Sequence, residues 1–203
     1  MDIAVIEALR KVRSSGRKLL LVTGRKLDEL LSVFPRVGLF DAISGKRRSA
    51  LLAGDPQDGL LSAPVPGNFV NLLVQRDVQP LSVGHVIVAT REPQERVVIE
   101  AIRELGLELQ VIFNKGAVMV LPALVNKATG LHAALSELCI PPACVVGVGD
   151  AENDHVFLAV CGYSVAVANA IPALTERAHW VTPSPHGIGV IEMITKLMDE
   201  SLP

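Results

Sequence analysis

The sequence predicts an α/β protein: a parallel sheet covered by helices, built from both ends of the chain, with a smaller α+β domain set into the middle. Three observations carry this. Half of the 203 residues are apolar while aromatics make up only 3%, a balance that suits buried parallel strands better than an aromatic-rich sandwich. Short runs of Val and Leu alternate with helical patterns near both ends of the chain. Between them the alternation gives way to Gly- and Pro-punctuated segments and a hairpin pattern.

Taken in order, Ile3, Val5, Ile6, Leu9 and Val12 recur at helical spacing within Asp2 to Ser14, and Ser14-Ser15-Gly16 is a stop for that helix. Lys18 to Val22 reads as a strand running into Thr23-Gly24-Arg25. Leu27 to Val33 is helical and breaks at Phe34-Pro35. From Phe40 to Pro66, glycines and prolines separate short apolar pairs, which predicts hairpin and linker with a domain boundary inside. Asn68 to Asp77 is a helix, Leu81 to Thr90 a strand and Pro93 to Leu105 a helix. Leu107 to Phe113 and Ala117 to Leu121 pair about Asn114-Lys115-Gly116. Then come a helix over Lys127 to Leu138, a strand over 144–148, and a helix over 151–160 with Val156, Phe157 and Val160 on one side. Ser164 to Val167 is a strand, Ala173 to Ala178 a short helix, His179 to Thr182 a short strand and Ile188 to Met198 the closing helix. The expected domains are 1–55 with 123–203, and 56–122.

Charge and cysteine content exclude several classes. A net charge of −2 leaves no footprint for nucleic acid, and Lys46-Arg47-Arg48 is short enough to be a solvated loop. Cys139, Cys144 and Cys161 lack metal-ligand spacing and read as small buried hydrophobes in a reducing compartment. No signal-peptide pattern or membrane-length apolar run occurs, so the expectation is a cytoplasmic protein without a membrane partner.

The stretch Cys144-Val145-Val146-Gly147-Val148-Gly149-Asp150-Ala151-Glu152-Asn153-Asp154 carries the chemistry. It puts three acids and an amide at a strand end and in the first turn of a helix, where ligands of α/β sheets bind. One acid would suffice as a cap. Three crowded together repel one another unless a cation neutralises them, and such hard oxygen donors suit Mg²⁺. Two further sites follow an apolar run or open a helix. The Thr23 hydroxyl and the backbone N–H groups of Gly24 and Arg25, at a strand end facing a helix N-terminus, can hold a phosphate, although Thr before Gly is also ordinary turn chemistry. Lys127 opens a helix, where its charge opposes the dipole, so an anion nearby would explain it; a surface lysine is the plainer reading.

In this order the three stretches resemble the haloacid-dehalogenase superfamily of phosphohydrolases, in particular its subclass with an α/β cap between the second and third motifs. The resemblance spans essentially the whole chain and extends to Ser164-Val165-Ala166-Val167-Ala168-Asn169-Ala170 and His186-Gly187-Ile188-Gly189-Val190. It implies a Rossmann-like core with a cap over 56–122, Mg²⁺ as cofactor, and a small phosphorylated metabolite, such as a sugar or polyol phosphate, as substrate. It further implies that Thr23 and Gly24 hold the phosphoryl group and that Lys127 neutralises it. Asp150 then ligates the metal with support from Asn153 and Asp154. Arg25, and Asn114 and Lys115 at the hairpin tip, are candidates for substrate contact, with a plain turn the equal reading for the last two.

Two departures stand against the resemblance. The family's first motif, an Asp-x-Asp that ends the first strand and supplies the nucleophile, has no counterpart. Met1-Asp2-Ile3 already falls in the helix that should follow, so covalent catalysis lacks its first step and the chain is expected to be nearly inactive. Gly45-Lys46-Arg47-Arg48-Ser49 stands where relatives carry Glu-Asn-Gly-Ala. The second reading is therefore a non-catalytic phosphate-binding or interaction protein on the same fold. The absent strand would lie between those at 18–22 and 144–148. Its loss predicts that the two exposed edges pair directly, or that another chain, as in a homo-oligomer, covers the gap.

Overall fold

The computed structural model describes residues 3–23, 27–45, 48–52, 64–84, 86–123 and 125–202. The chain divides into two compact units, Met1–Gly59 with Lys127–Pro203, and Leu60–Asn126.

Helix α1 (Ile3–Ser14) buries Val5, Ile6, Leu9 and Val12 and carries Lys11 and Arg13 in its last turn, where cations suit the dipole. Gly16 follows with φ of 84°, a conformation that ends the helix without a Cβ clash. Strand β1 (Leu20–Val22), helix α2 (Leu27–Val33) and strand β2 (Ala42–Gly45) come next, and β2 pairs with β1 in parallel. The segment expected to be only hairpin and linker thus begins with a core strand. Its hairpin is β2 with the antiparallel β3 (Arg48–Leu52).

In the second unit come α3 (Gly67–Gln75), β4 (Ser82–Val83), β5 (Val88–Arg91), α4 (Glu95–Glu104), β6 (Leu109–Asn114) and β7 (Ala117–Pro122). The strands form an antiparallel sheet in the order β4-β5-β7-β6. The single strand expected over 81–90 is two. A turn closed by the Gly84 N–H on the Ile87 carbonyl at 2.8 Å folds the apolar run back on itself. Phe69 and Leu73 of α3 and Val98 and Ala101 of α4 form one cluster with Val88 and Val120 of the sheet.

The first unit resumes with α5 (Lys127–Glu137), β8 (Val146–Gly149), α6 (His155–Leu158), β9 (Tyr163–Ala166), α7 (Pro172–Thr175), β10 (Trp180–Val181) and α8 (His186–Met198). The helix expected over 151–160 starts as a 3-10 turn and is shorter. Val156 is exposed, not on the buried side with Phe157. Of the cysteines only Cys161 is buried, where burial pushes its thiol up to about 11; Cys139 and Cys144 are exposed, contrary to the sequence expectation.

Strands β8, β9 and β10 are parallel neighbours, but they form a sheet separate from β1-β2-β3. The direct pairing expected between β1 and β8 does not form. Each is the edge of its own three-stranded sheet, and a cavity of about 1160 Å³ lies between them. Side chains alternate across both strands as a buried parallel sheet requires. Leu19, Leu21, Val146 and Val148 pack with α1 and α8, while Leu20, Val22 and Val145 pack with α5 and α6. A sealed apolar void of this volume would cost on the order of 25–30 kcal/mol by the coefficient for core cavities. That exceeds the roughly 5–15 kcal/mol holding a domain together. A slot of this size is therefore not a sealed dry void.

Candidate active site at the end of β8

The site is built by the turn that follows β8. The Asp154 carboxylate folds that turn: its Oδ2 accepts the N–H of Asp150 at 2.8 Å and that of Ala151 at 3.0 Å, while the Asp154 N–H donates to the Ala151 carbonyl at 2.9 Å. Gly149 makes room for this. A Cβ there would stand 2.7 Å from the Asp154 Cβ and 2.8 Å from its Oδ2, inside van der Waals contact. Gly147 serves the same end one step earlier, since a Cβ would lie 2.6 Å from the Cys161 Sγ. The alternating glycines of β8 therefore let α6 lie close against the strand.

Lys127, the first residue of α5, reaches this turn. Its ammonium donates to Asn153 Oδ1 at 2.9 Å, forms a short ion pair with Asp154 Oδ1, and lies 5.8 Å from the centre of the Phe157 ring. The pair is largely desolvated: the side chain of Lys127 is 17% and that of Asp154 6% exposed. Such a pair contributes little net stability but leaves a costly buried charge if one partner is removed, about 3–5 kcal/mol. The Asp154 charge also offsets the unfavourable position of a cation at a helix N-terminus.

Of the residues singled out from sequence, Lys127, Asn153 and Asp154 are joined by hydrogen bonds. Asp150 is tied to them through its backbone N–H, and its carbonyl accepts the Ile171 N–H at 3.1 Å. Thr23 follows β1 and lines the cavity between β1 and β8. Gly24 and Arg25 lie outside the described residues. In the second unit, Asn114 ends β6, with its Oδ1 buried and without a hydrogen-bond partner among the described residues. Lys115 and Gly116 turn the hairpin with φ of 50° and 77°, the signature of a type I′ turn. The sequence reading quoted Gly149 and Phe157 but gave neither a part in the site. Gly149 was legible in principle, because a glycine at the end of an apolar strand marks a close approach.

Among the described residues no three of His, Cys, Asp and Glu gather closely enough to hold a metal by themselves. Mg²⁺ asks for less, since it keeps several waters and takes one or two carboxylates together with substrate phosphate. A carboxylate at Asp150 and an amide oxygen at Asn153 are hard donors of that kind. The donor chemistry fits.

The described residues thus form an α/β fold of parallel-stranded sheets with an inserted α+β unit, and a lysine–carboxylate pair sits where a strand meets a helix. Residues 74–194 match the haloacid dehalogenase-like hydrolases, and the chain belongs to that family. It is 28% identical over 205 residues to a phosphoglycolate phosphatase of Methanothermobacter thermautotrophicus, covering 98% of this chain and 91% of that protein. With phosphoglycolate phosphatase 2 of Saccharolobus solfataricus it shares 39% over 85 residues, covering 42% of this chain and 36% of the relative. Its fold is similar to that of a sugar phosphatase of subclass IIB (TM-score 0.79, 15% identity, covering 98% of this chain and 92% of the other). It is also similar to the sucrose-phosphatase of Synechocystis (TM-score 0.68, 22% identity, 98% and 93%). By family, then, the chain is a hydrolase of the phosphatase type.

Proposed function

We propose that the turn after β8, with Lys127, forms the phosphate- and Mg²⁺-holding half of a phosphatase site for small phosphorylated metabolites. The observation that carries this reading is the bridge from the Lys127 ammonium to Asn153 and Asp154, beside Asp150 at the strand end. Asp154 commits one oxygen to Lys127 and the other to two backbone N–H groups. Its role is to hold the turn and the lysine; Asp150, and the Asn153 amide oxygen that Lys127 also engages, would supply the hard oxygen donors.

When bound, Mg²⁺ would offset charge on the phosphate oxygens. Lys127 would add a second positive charge, and Thr23 a hydroxyl donor at the end of β1. Residues Leu60–Asn126 would act as the cap that selects the substrate. Phosphoglycolate and sugar phosphates are the first substrates to test, since relatives are named for them. With no Asp-x-Asp in the sequence, binding should outlast turnover in this chain.

Calorimetric titration of the full chain with inorganic phosphate in the presence of Mg²⁺ tests this. Saturable binding is expected, weakened at least tenfold in Asp150→Asn and in Lys127→Met. Hydrolysis of p-nitrophenyl phosphate should stay at background. Equal binding by the parent chain and both variants would remove the site.

A further inference from the structure

The four-stranded sheet of the second unit has two unlike edges. Strand β4 is two residues long and comes shortly after Pro80, and a short strand near a proline is one way an edge is blunted against pairing. Strand β6 carries no such safeguard. Its six residues, Leu109-Gln110-Val111-Ile112-Phe113-Asn114, include no charge and no proline, and they pair with β7 without a bulge.

The phase of its outward groups follows from the register. The Ala123 N–H donates to the Glu108 carbonyl at 3.4 Å, so Glu108 starts the bonded pairs with β7, and Gln110, Ile112 and Asn114 continue them at the two-residue period. Leu109, Val111 and Phe113 therefore turn their N–H and C=O groups away from β7, and among the described residues no strand pairs with them on that side. The row is centred on Val111. Leu109 and Val111 pack their side chains with the α3–α4 cluster. Phe113 falls on the same face by alternation and is exposed.

We propose that β6 pairs with β6 of a second copy of this chain, antiparallel about a two-fold axis at Val111, so that two four-stranded sheets become one. In this register every outward N–H meets an outward carbonyl. Val111 faces its own counterpart, and Leu109 faces Phe113 of the second copy, which extends the apolar cluster across the axis. Charge selects the occupant. Glu108 precedes the row and Lys115 follows it, both exposed, so each Glu108 comes opposite Asn114 of the other copy and beside its Lys115. The axis thus closes both ends of the row with opposite charges, whereas a parallel pairing would set like beside like. One pair of short strands buries less than the roughly 1,200 Å² of a stable complex, so the association is reversible and concentration-dependent. It uses neither phosphate nor metal and stands apart from the proposed function.

Sedimentation velocity on the full chain from about 10 µM to about 1 mM, a range that brackets weak association, tests this. A reversible shift from monomer toward dimer is expected. Residue-resolved amide exchange should slow at Leu109, Val111 and Phe113 only in the concentrated sample, with Gln110, Ile112 and Asn114 slow in both. Glu108→Lys sets like charges side by side at both ends of the row and should weaken the dimer about tenfold; adding Lys115→Glu restores opposite charges and should return it to within about threefold of the parent. A chain that stays monomeric throughout would overturn the proposal. So would a dimer whose Leu109, Val111 and Phe113 amides exchange as in the monomer, whatever the variants do. Equal association of parent and Glu108→Lys, or no recovery in a folded double variant, would overturn it as well.

Discussion

Asp41 shows what one carboxylate does for a parallel strand pair. Its Oδ2 accepts the Leu19 N–H at 3.0 Å, its Oδ1 accepts Lys18 Nζ at 3.1 Å, and its own N–H donates to the Leu19 carbonyl at 2.8 Å. Burial pushes its pKa up, but the Leu19 N–H and the Lys18 ammonium, helped by Arg13, outweigh that and hold the carboxyl below its ordinary value. A depressed folded-state value means stability that is present above the unfolded value, near 4, and lost as pH falls through the folded one. Asp41→Asn should therefore cost about 1 kcal/mol at pH 7. The gap to the parent chain should close when urea unfolding is repeated below pH 3. At this scale the sequence was partly readable. A lysine in the first turn of α5 left two readings open, a neighbouring anion or the plainer surface lysine, and its ammonium pairs with Asp154. That Asp154 would spend both oxygens on the turn and on Lys127 was not readable, because Lys127 lies far from it in the sequence and only the fold brings the two together.

Elements were legible where one local pattern decided them. Helices α1 and α2 and the β6–β7 hairpin follow helical spacing, a proline break and a turn-forming tripeptide. They were missed where a distant strand decided. The place of β2 depends on pairing with β1, and its short apolar stretch carries no sign of that partner. Close approaches between elements are similarly invisible until the fold is seen. Gly162, at the turn from α6 into β9, is one. A Cβ there would lie 2.0 Å from the Ala143 carbonyl oxygen, a backbone atom that cannot swing aside. Gly162→Ala is expected to cost roughly 2–4 kcal/mol and to lower the melting temperature by about 5 °C or more. Gly38→Ala, with nothing within 4 Å of the added atom, should melt within a degree or two of the parent. Calorimetry on both variants separates crowding from the general effect of replacing glycine.

The whole molecule is built unevenly along its sequence. Residues Leu60–Asn126 form one unit from a single uninterrupted stretch, whereas the other needs Met1–Gly59 and Lys127–Pro203 together. The sequence reading expected the edges of β1 and β8 to pair directly or to be covered by another chain; among the described residues they do not pair with each other. Nesting also fixes an order of assembly. On the ribosome the inner stretch is finished before α5 emerges, while the early α1–β3 segment waits for partners far downstream, and long closures of that kind are slow. After dilution from denaturant, pulse-labelled amides of β5, β6 and β7 should gain protection ahead of those in β8 and β9. Simultaneous protection would mean that the inserted stretch cannot mature alone, and that the newborn chain leans on a chaperone until its last helix is made.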